Sequence, residues 1–127
     1  MKKLYALLIL MMPLSALALS NAEVRNEIQT FIDTQTYPQD LGDGVTSLTG
    51  VLTSTRGVVY SYTLSVNQDE LLGLSNIMSS VYTTNLNNLC TNNAMSWYKM
   101  NDVQMSYVYY DESDNLVSLF SMSGLNC

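Results

Sequence analysis

A chain of 127 residues with five lysines and arginines against eleven aspartates and glutamates has a formal net charge of −6 and room for a single domain. It contains no histidine, which excludes a Ser–His–Asp triad, a Cys–His pair, a His-ligated zinc site and a haem held by a proximal histidine. The acidic balance also argues against a surface for nucleic acid or anionic lipid.

The first element is a leader. Lys2 and Lys3 precede an apolar run from Leu4 to Met12, with Pro13 near its end and the small residues Ser15, Ala16, Ala18, Ser20 and Ala22 after it. This pattern predicts a secretory signal peptide over residues 1–22, cut after Ser20-Asn21-Ala22 so that Glu23 becomes the N-terminus. Ala16-Leu17-Ala18 offers a second cut, after Ala18. The run is too short to cross a bilayer, and no cysteine near the cut can carry a lipid, so no membrane anchor is expected after cleavage. The remaining domain, 23–127, keeps only Arg25, Arg56 and Lys99 against all eleven acids, a net charge of −8. Such a charge favours solubility and steers toward a basic partner.

Glu23–Gln35 reads as a short amphipathic helix with Val24, Ile28, Phe31 and Ile32 on one face, ended by Tyr37-Pro38. Gln39–Gly44 reads as a loop with two glycines. Val45–Leu52 and Val58–Val66 read as strands joined by a turn at Ser54–Gly57; in the second, Val58, Tyr60, Tyr62, Leu64 and Val66 share one face. Asn67 and Glu70 have capping-box spacing and start a helix running to Leu89 or Cys90, striped by Leu71, Leu74, Met78, Val81, Tyr82 and Leu86 or Leu89. A further helical turn, Ala94–Met100, carries Trp97. Val103–Tyr110 is a strand in which Tyr107 and Tyr109 oppose Tyr110. Asp111–Asn115 is a turn, with Asn115 suited to a left-handed conformation, and Leu116–Met122 is the last strand. Order and lengths predict an α+β two-layer domain: a four-stranded, mainly antiparallel sheet in ββαββ order, packed with one long helix and a short N-terminal helix.

Cys90 and Cys127 survive cleavage. Two cysteines in an exported chain of this size are expected to pair, closing a loop of 37 residues and stapling the helix end to the C-terminus. The alternative is a free, reactive or intermolecular thiol.

Without histidine, catalysis would rest on carboxylates, thiols, lysine or tyrosine, and no catalytic constellation emerges. Asp111, Glu112 and Asp114 read as solvated turn charges. Asp40 and Asp43 beside Gly42 and Gly44 are a weak calcium motif. Lys99 reads as a surface lysine near Trp97 and Tyr98. No metal site and no cofactor is implied. The one enrichment is aromatic: Tyr60, Tyr62, Tyr107, Tyr109 and Tyr110, with Trp97 nearby, suit either sheet packing or a partner-binding surface.

Cys90-Thr-Asn, Tyr107-Val-Tyr109-Tyr110-Asp111, Asn115-Leu116-Val117 and the closing Cys127, with Tyr60-Ser-Tyr62-Thr-Leu64 upstream, resemble small exported proteins of Gram-negative bacteria. The layout is also similar to the AspS-type pilotins of type II secretion. Those are lipoproteins that escort an outer-membrane secretin, and this chain departs from them in having no lipidation cysteine.

The sequence therefore points to a periplasmic or secreted, non-enzymatic protein that binds another envelope or secreted protein, as a secretion or assembly accessory, an immunity protein or an inhibitor. The competing expectations are a small-ligand or calcium-binding periplasmic module and a carboxylate-dependent hydrolase.

Overall fold

The computed structural model describes residues 19–66 and 74–127. Residues 1–18 of the expected leader, the expected cap at Asn67 and Glu70, and Leu71 lie outside the described residues.

The first helix, α1, spans Asn21–Asp33. Ser20 caps it: its hydroxyl accepts from the Glu23 amide at 3.2 Å, and the Glu23 carboxylate accepts from the Ser20 amide at 3.3 Å. Val24, Ile28 and Ile32, spaced four apart, form the buried seam. Phe31, expected on the same face, flanks that seam and is half exposed.

Five strands follow: β1 (Gln39–Asp40), β2 (Thr46–Ser54), β3 (Gly57–Leu64), β4 (Gln104–Asp111) and β5 (Leu116–Met122). They form one sheet in the order β1-β2-β3-β4-β5. Between β3 and β4 lie α2 (Leu74–Thr91), a 3-10 turn at Asn93–Met95 and the short α3 (Ser96–Met100); a second 3-10 turn, Gly124–Asn126, closes the chain.

The class is α+β, but the expected four-stranded, mainly antiparallel sheet with one long helix is overturned in three respects. The stretch expected to be only a loop contains β1, paired antiparallel with Leu48 and Ser47. The central pair, β3 and β4, is parallel, so the sheet is mixed. Three helices among the described residues, not one long helix with a short companion, accompany it. The parallel pairing has a simple cause. The segment carrying α2 and α3 returns the chain to the end of the sheet where β3 began, so β4 starts beside Gly57 and runs the same way.

Register sorts the side chains into two faces. On the inner face, Val58, Met105 and Met122 lie in one row, Val51, Tyr60, Tyr107 and Phe120 in the next, and Leu48, Tyr62 and Tyr109 in a third. These rows join α1, Leu89 and Val103 in one core. The outer face carries Leu52, Val59, Ser106 and Ser121 in one row and Ser61, Val108 and Leu119 in another.

The end of the sheet that holds Gly57 and Met122 is densely fastened. Val24, Val58, Leu89, Val103, Met105 and Met122 are essentially inaccessible there. A Cβ at Gly57 would collide with the Gln104 carbonyl, so the hairpin approaches β4 more closely than any other residue permits. Arg56 donates to the Asn101 carbonyl through Nε (3.0 Å) and Nη2 (2.8 Å), and through Nη1 to the Leu19 carbonyl (2.7 Å) and Asn21 Oδ1 (3.1 Å). Cys90 and Cys127 are bonded, tying the end of α2 to the C-terminus, and Lys99 Nζ donates to the Cys90 carbonyl at 3.1 Å.

Candidate functional site: an apolar groove between the second helix and the sheet

At the opposite end of the sheet, a groove of about 750 Å³ opens between the first half of α2 and the β1–β2 connection. Tyr62 and Leu64 of β3 and Tyr109 of β4 line it from the sheet. Ile77 and Val81 supply the helix side, and Leu41 and Val45 the loop side. Leu41, Val45 and Ile77 are 50 %, 42 % and 53 % exposed. Apolar side chains left half in water around one concavity are a stronger sign of a contact surface than the same residues scattered singly.

The loop side is held in shape by two aspartates. Asp40 accepts from the Gly42 amide at 2.8 Å, and Asp43 accepts from the Val45 and Thr46 amides at 2.9 and 2.7 Å. Gly42 and Gly44 take the left-handed conformations (φ 82° and 79°) that this double turn requires. Hydrogen bonding from the Thr46 side chain, then from the Val45 and Thr46 amides, holds the Asp43 carboxyl below its ordinary value. Asp43 is thus a fixed negative charge in an otherwise uncharged, mostly apolar lining. The two acids that resembled a calcium motif are turn acceptors, and no cluster of three or more metal-ligating side chains occurs among the described residues.

Tyr62 stacks on Tyr109 with ring centroids 4.7 Å apart and on Tyr107 at 6.4 Å. Tyr60 and Phe120 stack on Tyr107 from either side at 5.3 and 5.1 Å. The parallel pairing of β3 with β4 puts Tyr60 opposite Tyr107 and Tyr62 opposite Tyr109, which builds the stack. Burial, followed by the neighbouring phenols, pushes the Tyr60 and Tyr62 hydroxyls well above their ordinary value. Tyr107 and Tyr109 rise to about 12, chiefly through burial. The phenols at the groove stay protonated at neutral pH and offer hydrogen bonds. With Asp43 ionised, the groove presents apolar area, protonated phenols and one charge.

Of the expected partner-binding residues, Tyr62 and Tyr109 meet in the groove, whereas Tyr60 and Tyr107 lie in the neighbouring row of the stack. Tyr110 is half-buried on the outer face, opposite Leu116. Trp97 packs edge-on against Tyr98 in α3, beside a smaller recess of about 230 Å³ with Phe31. These six residues do not form one surface. Leu41, Val45 and Ile77 were not singled out by sequence reasoning. The available signal was three aliphatic residues beside turn residues or on the flank of an amphipathic stripe.

In the last turn, Asp111 accepts from the Ser113 and Asn115 amides and the Asn115 side-chain amide at 2.9, 2.9 and 3.1 Å. The Asn115 amide is the main cause of its lowered pKa. The left-handed residue is Asp114 (φ 63°), not Asn115.

No family model matches the chain, and no curated protein matches it. Its fold is similar to two solved structures. One is a protein of Pseudomonas aeruginosa described as secreted, with TM-score 0.69 and 9 % identity over 84 % of this chain and 95 % of that one. The other is the pilotin EpsS of the Vibrio vulnificus type 2 secretion system, with TM-score 0.60 and 9 % identity over 84 % of this chain and 90 % of that one. At this identity the likeness is one of fold, and in fold it agrees with the pilotin resemblance carried by the sequence. No described helix is long and apolar enough to cross a membrane.

Proposed function

We propose that the chain is an exported, non-enzymatic accessory protein that binds another envelope or secreted protein through the groove beneath α2. The occupant is an apolar segment with a basic residue beside it. The observation that carries this reading is the groove itself: half-exposed Leu41, Val45 and Ile77 around buried tyrosine rings, with the fixed carboxylate of Asp43 in the lining. Its volume accommodates several side chains of one helix face or extended peptide. The net charge of −8 expected after cleavage favours a basic partner. The fold shared with a pilotin supports a secretion or assembly role over the immunity-protein and inhibitor subclasses.

Export rests on the leader, and cleavage after Ala18 is the favoured cut. Leu19 packs against the core, its carbonyl accepts from Arg56, and Ser20 caps α1. A cut after Ala22 would remove all three. Intact-mass measurement of exported protein separates them: Leu19 at the N-terminus is expected, and Glu23 would reject this cut.

The test of binding is capture from envelope extract by the mature protein and by its Ile77→Glu and Val45→Glu variants. One protein retained at low salt by the parent and lost with both variants is the expected result. Retention of the same protein by both variants, or of none by the parent, overturns the proposal. A second reading is favoured by the groove's volume, which falls in the range of small-molecule sites. It predicts a melting temperature raised by an apolar small molecule, with no protein captured.

A further inference from the structure

The two edges of the sheet are built differently. On one side, β1 is two residues long, follows Pro38 and bears Asp40, and β2 beside it carries a bulge between Leu48 and Gly50. Shortness, proline, charge and bulges are the devices that stop a sheet edge from pairing with another chain. On the other side, β5 is seven residues long, and no strand pairs with its outer edge among the described residues. Its sequence, Leu-Val-Ser-Leu-Phe-Ser-Met, contains no charge, proline or glycine, and no charged side chain occurs from Asn115 to Cys127. The one irregularity in its pairing lies at the hairpin end, between the partners of Tyr109 and Tyr110, leaving Ser118–Met122 in regular register. Leu116 and Leu119 are both 60 % exposed on the outer face.

We propose that β5 pairs antiparallel with β5 of a second copy across a twofold axis, joining the two sheets into one. Charge selects both the occupant and the direction. A chain this acidic repels its own copies except where acids are absent, and β5 with the adjoining outer rows is such a place: Leu52, Val59, Ser106, Ser121, Val108 and Leu119 carry no charge. Three acids, Asp111, Glu112 and Asp114, cluster at one end of β5, whereas at the other end a single acid, Asp102, lies near Ser121–Ser123 with Arg56 lining the same recess. Antiparallel pairing sends the two clusters to opposite ends of the joint, each beside the partner's uncharged Ser121–Gly124, whereas parallel pairing would bring them together. The twofold also satisfies the same row of backbone groups in both copies with one self-complementary contact. The joint is small, so it forms a dimer of modest affinity. It is independent of the groove, which faces the helical layer.

The test is analytical ultracentrifugation of the mature, disulfide-intact protein, with Leu119→Lys and Leu52→Lys. Both sites are exposed, so both variants are expected to fold, and circular dichroism checks this. The parent is expected to reach twice the monomer mass as concentration rises. Leu119→Lys places two like charges at the joint and weakens dimerisation at least about tenfold. Leu52→Lys, on the same face but at the far side of the sheet, leaves it unchanged. A parent that stays monomeric up to roughly 500 μM, where even a small transient interface would associate, overturns the proposal. So does a dimer that Leu119→Lys leaves intact, or one that both variants dissociate, which would indicate face-to-face stacking or pairing through β2.

Discussion

The two ends of the sheet solve opposite problems with the same strands. At the Gly57 end, six inaccessible apolar side chains, the clamp of Arg56 with four hydrogen bonds to three acceptors and the Cys90–Cys127 bond fasten the strand ends, leaving only a polar-rimmed surface recess beside Arg56 and Ser123. At the Leu64 end, the helix stands off the sheet, aliphatic side chains remain half in water, and the loops are shaped by aspartates accepting backbone amides. The contrast shows how a domain near 100 residues, with little stability to spare, keeps an open apolar groove. The fastening is concentrated at the end of the sheet away from the groove.

Substitutions at the two ends should therefore behave differently. Replacing Cys90 and Cys127 together by serine is expected to cost about 2–4 kcal/mol in urea unfolding. Arg56→Ala strips the donors from the Asn101 and Leu19 carbonyls and should cost about 2–3 kcal/mol in the same assay. Ile77→Glu and Val45→Glu, at the open end, should change stability by less than about 0.5 kcal/mol while abolishing partner capture. A comparable loss of stability at both ends would dissolve the distinction.

Titration sharpens it. Tyr60, Tyr62, Tyr107 and Tyr109 have pKa values raised above the ordinary 10.0. Their contribution to stability is fully present below pH 10 and is lost as pH rises toward their folded values. Tyrosinate absorbance of these four should therefore appear late, together with unfolding. Asp43 is shifted down by hydrogen bonds from the Thr46 side chain and then the Val45 and Thr46 amides, and Asp111 chiefly by the Asn115 amide. Their contribution is present above the ordinary carboxylate range and fades as pH falls below it, so acid should loosen the Leu64 end first. Hydrogen exchange at low pH, with the β1–β2 loop and last hairpin opening before the Gly57 end, is the check.

Much of this layout was legible in the sequence because it is written in periodicity. The alternation around Tyr60 and Tyr62 gave β3 its inner face, the opposed parity of Tyr110 put it outside, and Leu116–Met122 was bounded correctly. The parallel pairing was not legible. Direction is decided by where the α2–α3 crossover returns the chain, and hydropathy along β3 and β4 is the same for either direction. A two-residue strand, Gln39–Asp40, has no hydropathy signal of its own. The groove was half legible: Tyr62 and Tyr109 stood out by residue type, but Leu41, Val45 and Ile77 matter only because the fold brings a loop and a helix flank together. Asp114 rather than Asn115 takes the left-handed position because Asn115 is committed to Asp111.

The most direct test of the groove as a protein-binding site is site-specific photo-crosslinking in intact envelopes, with the photoreactive residue at Ile77 in one strain and at Leu52 on the opposite face in another. A discrete adduct with one envelope or secreted protein from position 77, absent from position 52, is the predicted result. No adduct from position 77, or the same adducts from both positions, would contradict it.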